Sequence, residues 1–205
     1  MTNVALGVRR ATVGVKVFAV ILGALFVALA AQISVPLPGT PVPMTLQPLA
    51  VLLVGGLLGG PLGAASMILY LAMGAAGLPV FTPTVPLPGI ARLFGPTGGY
   101  LLAYPIAAWA VGRLVPPLRI AERGPGGEDG RSAWLGGEAW RAASAALLGM
   151  VLIHLGGLAQ LAILTGDLRA AAQFGTWPFL LGDLLKVAIA APVLLKLTPT
   201  IRARL

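Results

Sequence analysis

The chain has 205 residues, 58% of them hydrophobic and 10% charged, with a formal net charge of +8 and a mean hydropathy of +0.93. A water-soluble domain carries about a quarter charged residues, so most of this surface must face something other than water. There is no cysteine and a single histidine, which excludes disulfide staples and thiolate metal sites and argues against a histidine-based metal centre.

From Val17 to Ala91 the chain has no Asp, Glu, Lys, Arg or His. That stretch is several times the roughly 20 residues that one membrane-spanning helix needs. Apolar runs separated by turn signals predict six spans in an all-α integral membrane protein, a single transmembrane domain over residues 1–205. Span one covers about Val13 to Ile33 and span two about Thr45 to Leu58. Gly59-Gly60-Pro61 makes a tight turn, with Pro61 suited to the first position of the next helix. Spans three and four cover about Leu62 to Ala76 and Gly98 to Val115, and spans five and six about Ala142 to Thr165 and Trp177 to Leu195.

The basic residues set the orientation. Arg9, Arg10 and Lys16 precede span one, Arg113, Arg119, Arg123, Arg131 and Arg141 border or join spans four and five, and Lys196, Arg202 and Arg204 follow span six. With six spans these groups fall on one side, which the positive-inside rule makes cytoplasmic along with both termini. The same clustering between apolar runs, without a stripe of interleaved aromatics, excludes a nucleic-acid partner. The N-terminus also has the look of a signal peptide, with Ala28-Leu29-Ala30-Ala31 as a cleavage-like site. Removing it leaves five spans and puts the basic C-terminus at odds with the basic central segment, so span one is expected to be retained. Residues of about 119–140 read as a flexible cytoplasmic loop, and their Gly124, Gly126 and Gly130 do not make a dinucleotide fingerprint without a preceding strand. No internal repeat is evident, which weakens the case for an inverted-repeat transporter. No Gly-Lys dipeptide occurs, so there is no Walker A loop, and any ATP-driven work belongs to a partner.

Two features carry chemistry. Asp183 and Lys186 lie inside span six at i and i+3, on one helical face. A continuous helix from Trp177 puts them roughly 9 and 14 Å deep, where each charge costs on the order of 3 kcal/mol even on lenient scales. They mark a substrate pathway, or else form a mutual ion pair that lets the helix insert. The second feature is the segment from Gly77 to Tyr100, with prolines at 79, 83, 86, 88 and 96, glycines at 77, 89, 95, 98 and 99, one cation, Arg92, and no anion. Such a segment is ordered yet irregular. At residues of about 78–97 it is an extracellular lid over an anionic ligand, or a solvent loop whose Arg92 meets lipid phosphate. Gln47, an amide on an apolar span, wants a hydrogen-bonding partner, and Tyr100 stands near a span end. His154, mid-span, reads as an interhelical packing bond, and Ala24 and Ala28 give span one a small-xxx-small face that suits internal packing or docking of a membrane partner.

Four stretches occur in order: Pro41-Val42-Pro43-Met44-Thr45-Leu46-Gln47, Gly77-Leu78-Pro79-Val80-Phe81, Gly95-Pro96-Thr97-Gly98-Gly99-Tyr100-Leu101 and Gly182-Asp183-Leu184-Leu185-Lys186. Together they resemble the BioY family, the biotin-specific S components of energy-coupling-factor (ECF) transporters, from span one to span six. The resemblance implies a six-helix bundle with a biotin pocket near the outer face of the cell membrane. It also implies optional partners, a transmembrane coupling subunit and cytoplasmic ATPases; no cofactor or metal is expected. Asp183, Lys186, Arg92, Tyr100 and Gln47 are then the substrate-binding set, with Ala24 and Ala28 for partner docking. A homo-oligomer and lipid contact are compatible with this. Two other readings stand beside it: a channel or secondary transporter acting alone, and an integral-membrane enzyme using Asp183 and Lys186 as an acid/base pair, for which no nucleophile or metal set is present.

Overall fold

The structure, a computed structural model, describes residues 11–115 and 129–205, and for 129–136 the backbone only. Eight α-helices lie among the described residues: α1 (Val13–Gln32), α2 (Gln47–Leu58), α3 (Gly60–Ala75), α4 (Ala91–Phe94), α5 (Gly98–Leu114), α6 (Asp129–Thr165), α7 (Leu168–Gly175) and α8 (Leu180–Arg202). Six of them coincide in place with the expected spans; α4 and α7 are short additions in the loops. Three stretches, Val13–Gln32, Gly137–Thr165 and Leu168–Arg202, are long and apolar enough to cross a membrane. The protein is all-α and membrane-embedded in its chemistry. Phe18, Leu22, Phe26 and Leu29 on α1, and Leu181, Leu184 and Leu185 on α8, point outward and exposed, which only an apolar solvent tolerates in such numbers.

The helices come close where side chains are absent. Gly59, at a φ of 86°, turns the chain from α2 into α3. Gly99 of α5 and Gly156 of α6 meet so closely that a Cβ on either runs into the other's carbonyl oxygen. At the same end of the bundle a two-residue antiparallel ladder pairs β1 (Ser34–Val35) with β2 (Met44–Thr45) between α1 and α2. At the other end Arg202, the last residue of α8, donates to the carbonyls of Gly56, Gly112 and Val115 at 2.5 to 3.1 Å. Those carbonyls belong to the C-terminal turns of α2 and α5, where acceptors are left over and a cation meets the negative end of the helix dipole. Arg202 thus staples three helices together rather than standing free as a loop charge.

Two expectations are corrected. The segment of about 119–140 is not a loop throughout: α6 starts at Asp129, so its second half is helix, while residues 116–128 lie outside the described residues. Asp129 suits a helix N-terminus, and Ala, Leu, Glu and Arg downstream are strong helix formers that outweigh Gly136-Gly137. The small face of α1 is an internal seam rather than a docking surface. Ala24 is fully buried and Ala28 nearly so, within the core, and next to Ala24 a Cβ on Gly23 would strike Ser66 of α3. Small residues serve here to bring α1 against α3.

Candidate functional site

A cavity sits at the β1–β2 end of the bundle, and all five residues expected to bind substrate line it: Gln47, Arg92, Tyr100, Asp183 and Lys186. The first turns of α8 supply the charged pair. Asp183 and Lys186, 5% and 6% exposed, share a face at i and i+3, with Lys186 Nζ 2.8 Å from Asp183 Oδ1. Their neighbours Leu181, Leu184 and Leu185 point outward, so the helix presents its only two charges of this region inward, where a cavity can take them. His154 of α6 donates from Nε2 to Asp183 Oδ2 at 2.7 Å. The interhelical bond expected of His154 therefore exists, and its partner is the carboxylate of the site.

Residues 77–97 form the roof. Arg92, on α4, is buried, and its guanidinium is spent mainly on the loop that carries it. Nε donates to Leu87 O at 2.8 Å, and Nη2 donates to Thr82 O and Val85 O at 3.0 and 2.5 Å. Nη1 is buried with no partner among the described residues. The Phe81 ring lies 5.9 Å from the guanidinium, within cation–π range. Burial lowers the Arg92 pKa from its ordinary value, and Tyr70 opposes that in part. Arg92 both folds the roof and offers the cavity one unfilled edge.

The helices brace this roof from below. Gln160 of α6 donates to Leu93 O and Gly95 O, and Gln32 of α1 reaches Pro79 O and Phe81 O. Gln47 finds the partner its amide requires: Nε2 donates to Tyr70 Oη at 2.6 Å, Oε1 accepts from Thr45, and Tyr70 donates on to Val80 O. Tyr100 lays its ring along the cavity and donates its hydroxyl to Gly175 O at 2.6 Å. Its slot exists because Gly157 has no side chain, since a Cβ there would enter the Tyr100 ring. The β1–β2 connection adds Val42 and Pro43 to the cavity wall and is tied to α7 by Thr40 Oγ1 donating to Phe174 O at 2.5 Å. Thr82, Thr97, Phe81 and Phe179 also line the cavity. Phe81 and Thr97 stand in the motifs that carry the resemblance, but Thr82 and Phe179 have no positional signal until the chain is folded.

Two cations, Arg92 and Lys186, face one anion, Asp183, among the lining residues, which leaves one net positive charge from these three in an apolar surround. Tyrosine rings, threonine hydroxyls and one buried guanidinium edge complete the lining. Ala24 and Ala28 take no part in it. Among the described residues no cluster of His, Asp and Glu could hold a metal.

Fold and site together define an all-α membrane protein with a charged cavity under its connecting loops. Comparison with known proteins agrees. The BioY family profile matches residues 4–203, and the chain belongs to that family. A probable biotin transporter BioY of Pyrococcus horikoshii is 37% identical over 172 residues, spanning 82% of this chain and 89% of that one. The biotin transporter BioY of Thermotoga maritima is 35% identical over 171 residues, 83% of this chain and 88% of that one. In three dimensions the chain resembles the crystal structure of the S-component for biotin from an ECF-type ABC transporter. The TM-score is 0.73 over 92% of this chain and 94% of that one, at 23% identity.

Proposed function

We propose that this chain captures biotin in the cavity and serves as the substrate-binding subunit of an ECF-type importer in the cell membrane. The observation that carries this is the charged set itself: Asp183, Lys186 and the open Nη1 edge of Arg92 line one buried cavity in a chain of the BioY family. Biotin has a ureido ring with two N–H donors and one carbonyl, an apolar thioether ring, and a carboxylate on an alkyl arm. Asp183 accepts one ureido N–H group in a charge-assisted bond, which is the strong kind. Lys186 is engaged with Asp183 and lies beside the ureido head, where its ammonium answers the carbonyl. Arg92 takes the carboxylate, because its Nη1 is the guanidinium edge left without a partner among the described residues. Tyr100 and Phe81 flank the apolar ring, and Gln47 holds Tyr70 and the roof in place.

Membrane placement follows from the basic clusters that flank the spans. Six helices cross, with both termini and the basic clusters cytoplasmic, which puts the cavity and the 78–97 roof at the outer face. These 205 residues contain no Walker A loop, so uptake against a gradient draws on a coupling subunit and ATPases supplied by partners. Titration of the purified chain with biotin by calorimetry tests the reading: saturable one-to-one binding without turnover is expected. No heat of binding in a folded preparation overturns it, and chemical conversion of biotin points to an enzyme.

A further inference from the structure

The geometry points to His154 as a positioning residue of the ligand site, one that aims the Asp183 carboxylate into the cavity; this deepens the biotin reading above and rests on it. Asp183 lines two spaces. One is the cavity. The other is an apolar groove along the seam of α6 and α8, walled by Leu147, Val151, Leu155 and Leu184 and open on the side. Its carboxylate therefore has two directions to point in. Lys186 lines only the cavity, but it rides on the same helix and its ammonium sits on a flexible four-carbon stem, so it holds the carboxylate loosely.

His154, which lines both spaces, holds the carboxylate from outside the helix. It stands on α6, its Nε2 lies 2.7 Å from Asp183 Oδ2, and its ring abuts Tyr100 edge-on at 6.1 Å between centroids. An ionised carboxylate only accepts, so Nε2 carries the proton in this contact. Nδ1 is buried with no partner among the described residues, so the bond to Asp183 is the ring's one polar commitment there. A carboxylate has about four lone-pair sites; Lys186 occupies one on Oδ1 and His154 one on Oδ2. That leaves acceptor capacity for a ureido N–H, one of the two that diverge on either side of the ring carbonyl, and His154 fixes which way it faces.

The test is biotin titration of the full purified chain carrying His154→Leu or His154→Gln, each alone and together with Asp183→Asn, with thermal unfolding as the fold check. Loss of a hydrogen bond to a charged group predicts that His154→Leu weakens binding on the order of 10- to 100-fold. His154→Gln, whose amide donates to the same oxygen, recovers most of that. In the Asp183→Asn background His154→Leu costs little more, since residues acting through one contact are not additive. Should the Leu variant fail to fold, His154→Asn, an amide too short to reach the carboxylate, replaces it. Parent-like binding by His154→Leu overturns the positioning role, as does a Gln variant as weak as Leu or an undiminished penalty in the Asp183→Asn background. If the parent chain itself does not bind biotin, the functional reading fails, and the positioning role falls with it.

Discussion

Replacing Arg92 by Met isolates the end of the site that faces the negative charge. A guanidinium has five N–H groups, and three of them are committed: one on Nε to Leu87 O, two on Nη2 to Thr82 O and Val85 O. The two on Nη1 are left for the ligand. One charge-assisted bond at a buried site contributes about 1.5–3 kcal/mol, so Arg92→Met is expected to raise the Kd for biotin by about 10- to 150-fold. Part of any loss comes from loosening the roof, since three loop carbonyls lose their donor together. Biotinamide separates the two effects, because it keeps the ring system and lacks the negative charge. The parent should prefer biotin over biotinamide by roughly the strength of the missing bond, and Arg92→Met should erase most of that preference while weakening biotinamide only through the roof. Arg92→Lys keeps the charge but has three donors on a point-like head, so it should recover only part of the preference. Calorimetric titration of the three proteins with both ligands gives all the numbers needed. If Arg92→Met discriminates between biotin and biotinamide as the parent does, Arg92 does not meet the carboxylate, and its assignment here is wrong.

Asp183→Asn and Lys186→Met are each expected to cut both biotin affinity and yield of folded protein, because a lone buried charge is left behind at a cost of about 3–5 kcal/mol. The double variant should regain yield but not affinity, and biotin binding at parental strength by the double variant would reduce the pair to an insertion device. Ala24→Leu with Ala28→Leu should lower thermal stability and binding together, by about 1–3 kcal/mol per site for overpacking, since both side chains are inside the α1–α3 seam; retained binding with lost uptake in cells bearing the coupling module would return them to a docking surface. Gly157→Ala should push the Tyr100 ring out of its slot, seen as weaker biotin binding than in a control such as Gly137→Ala, where a Cβ meets nothing.

The membrane-embedded helical class was legible without coordinates, because hydropathy and charge placement are local properties summed along the chain. Asp183 and Lys186 could be named for a similar reason: charge inside an apolar span is costly wherever it occurs, so the pair stands out by its cost alone. Glycine and proline density likewise marked the segment from Gly77 to Tyr100 as an irregular, ordered loop. What lies across the bundle could not be read in that way. Arg92 belongs to its own loop for three of its five donors, a fact that depends on where Leu87, Thr82 and Val85 turn their carbonyls. The direction in which α1 faces was undetermined, because small residues suit an internal seam and an external one equally, and only packing against Ser66 and α3 decides it. The partner of His154 lies 29 residues away on another helix, and Gly157 matters only because the Tyr100 ring from α5 arrives there. Composition and periodicity determine what each segment can bury; which group meets which across the cavity is set by distances between helices, and only the tertiary structure supplies them.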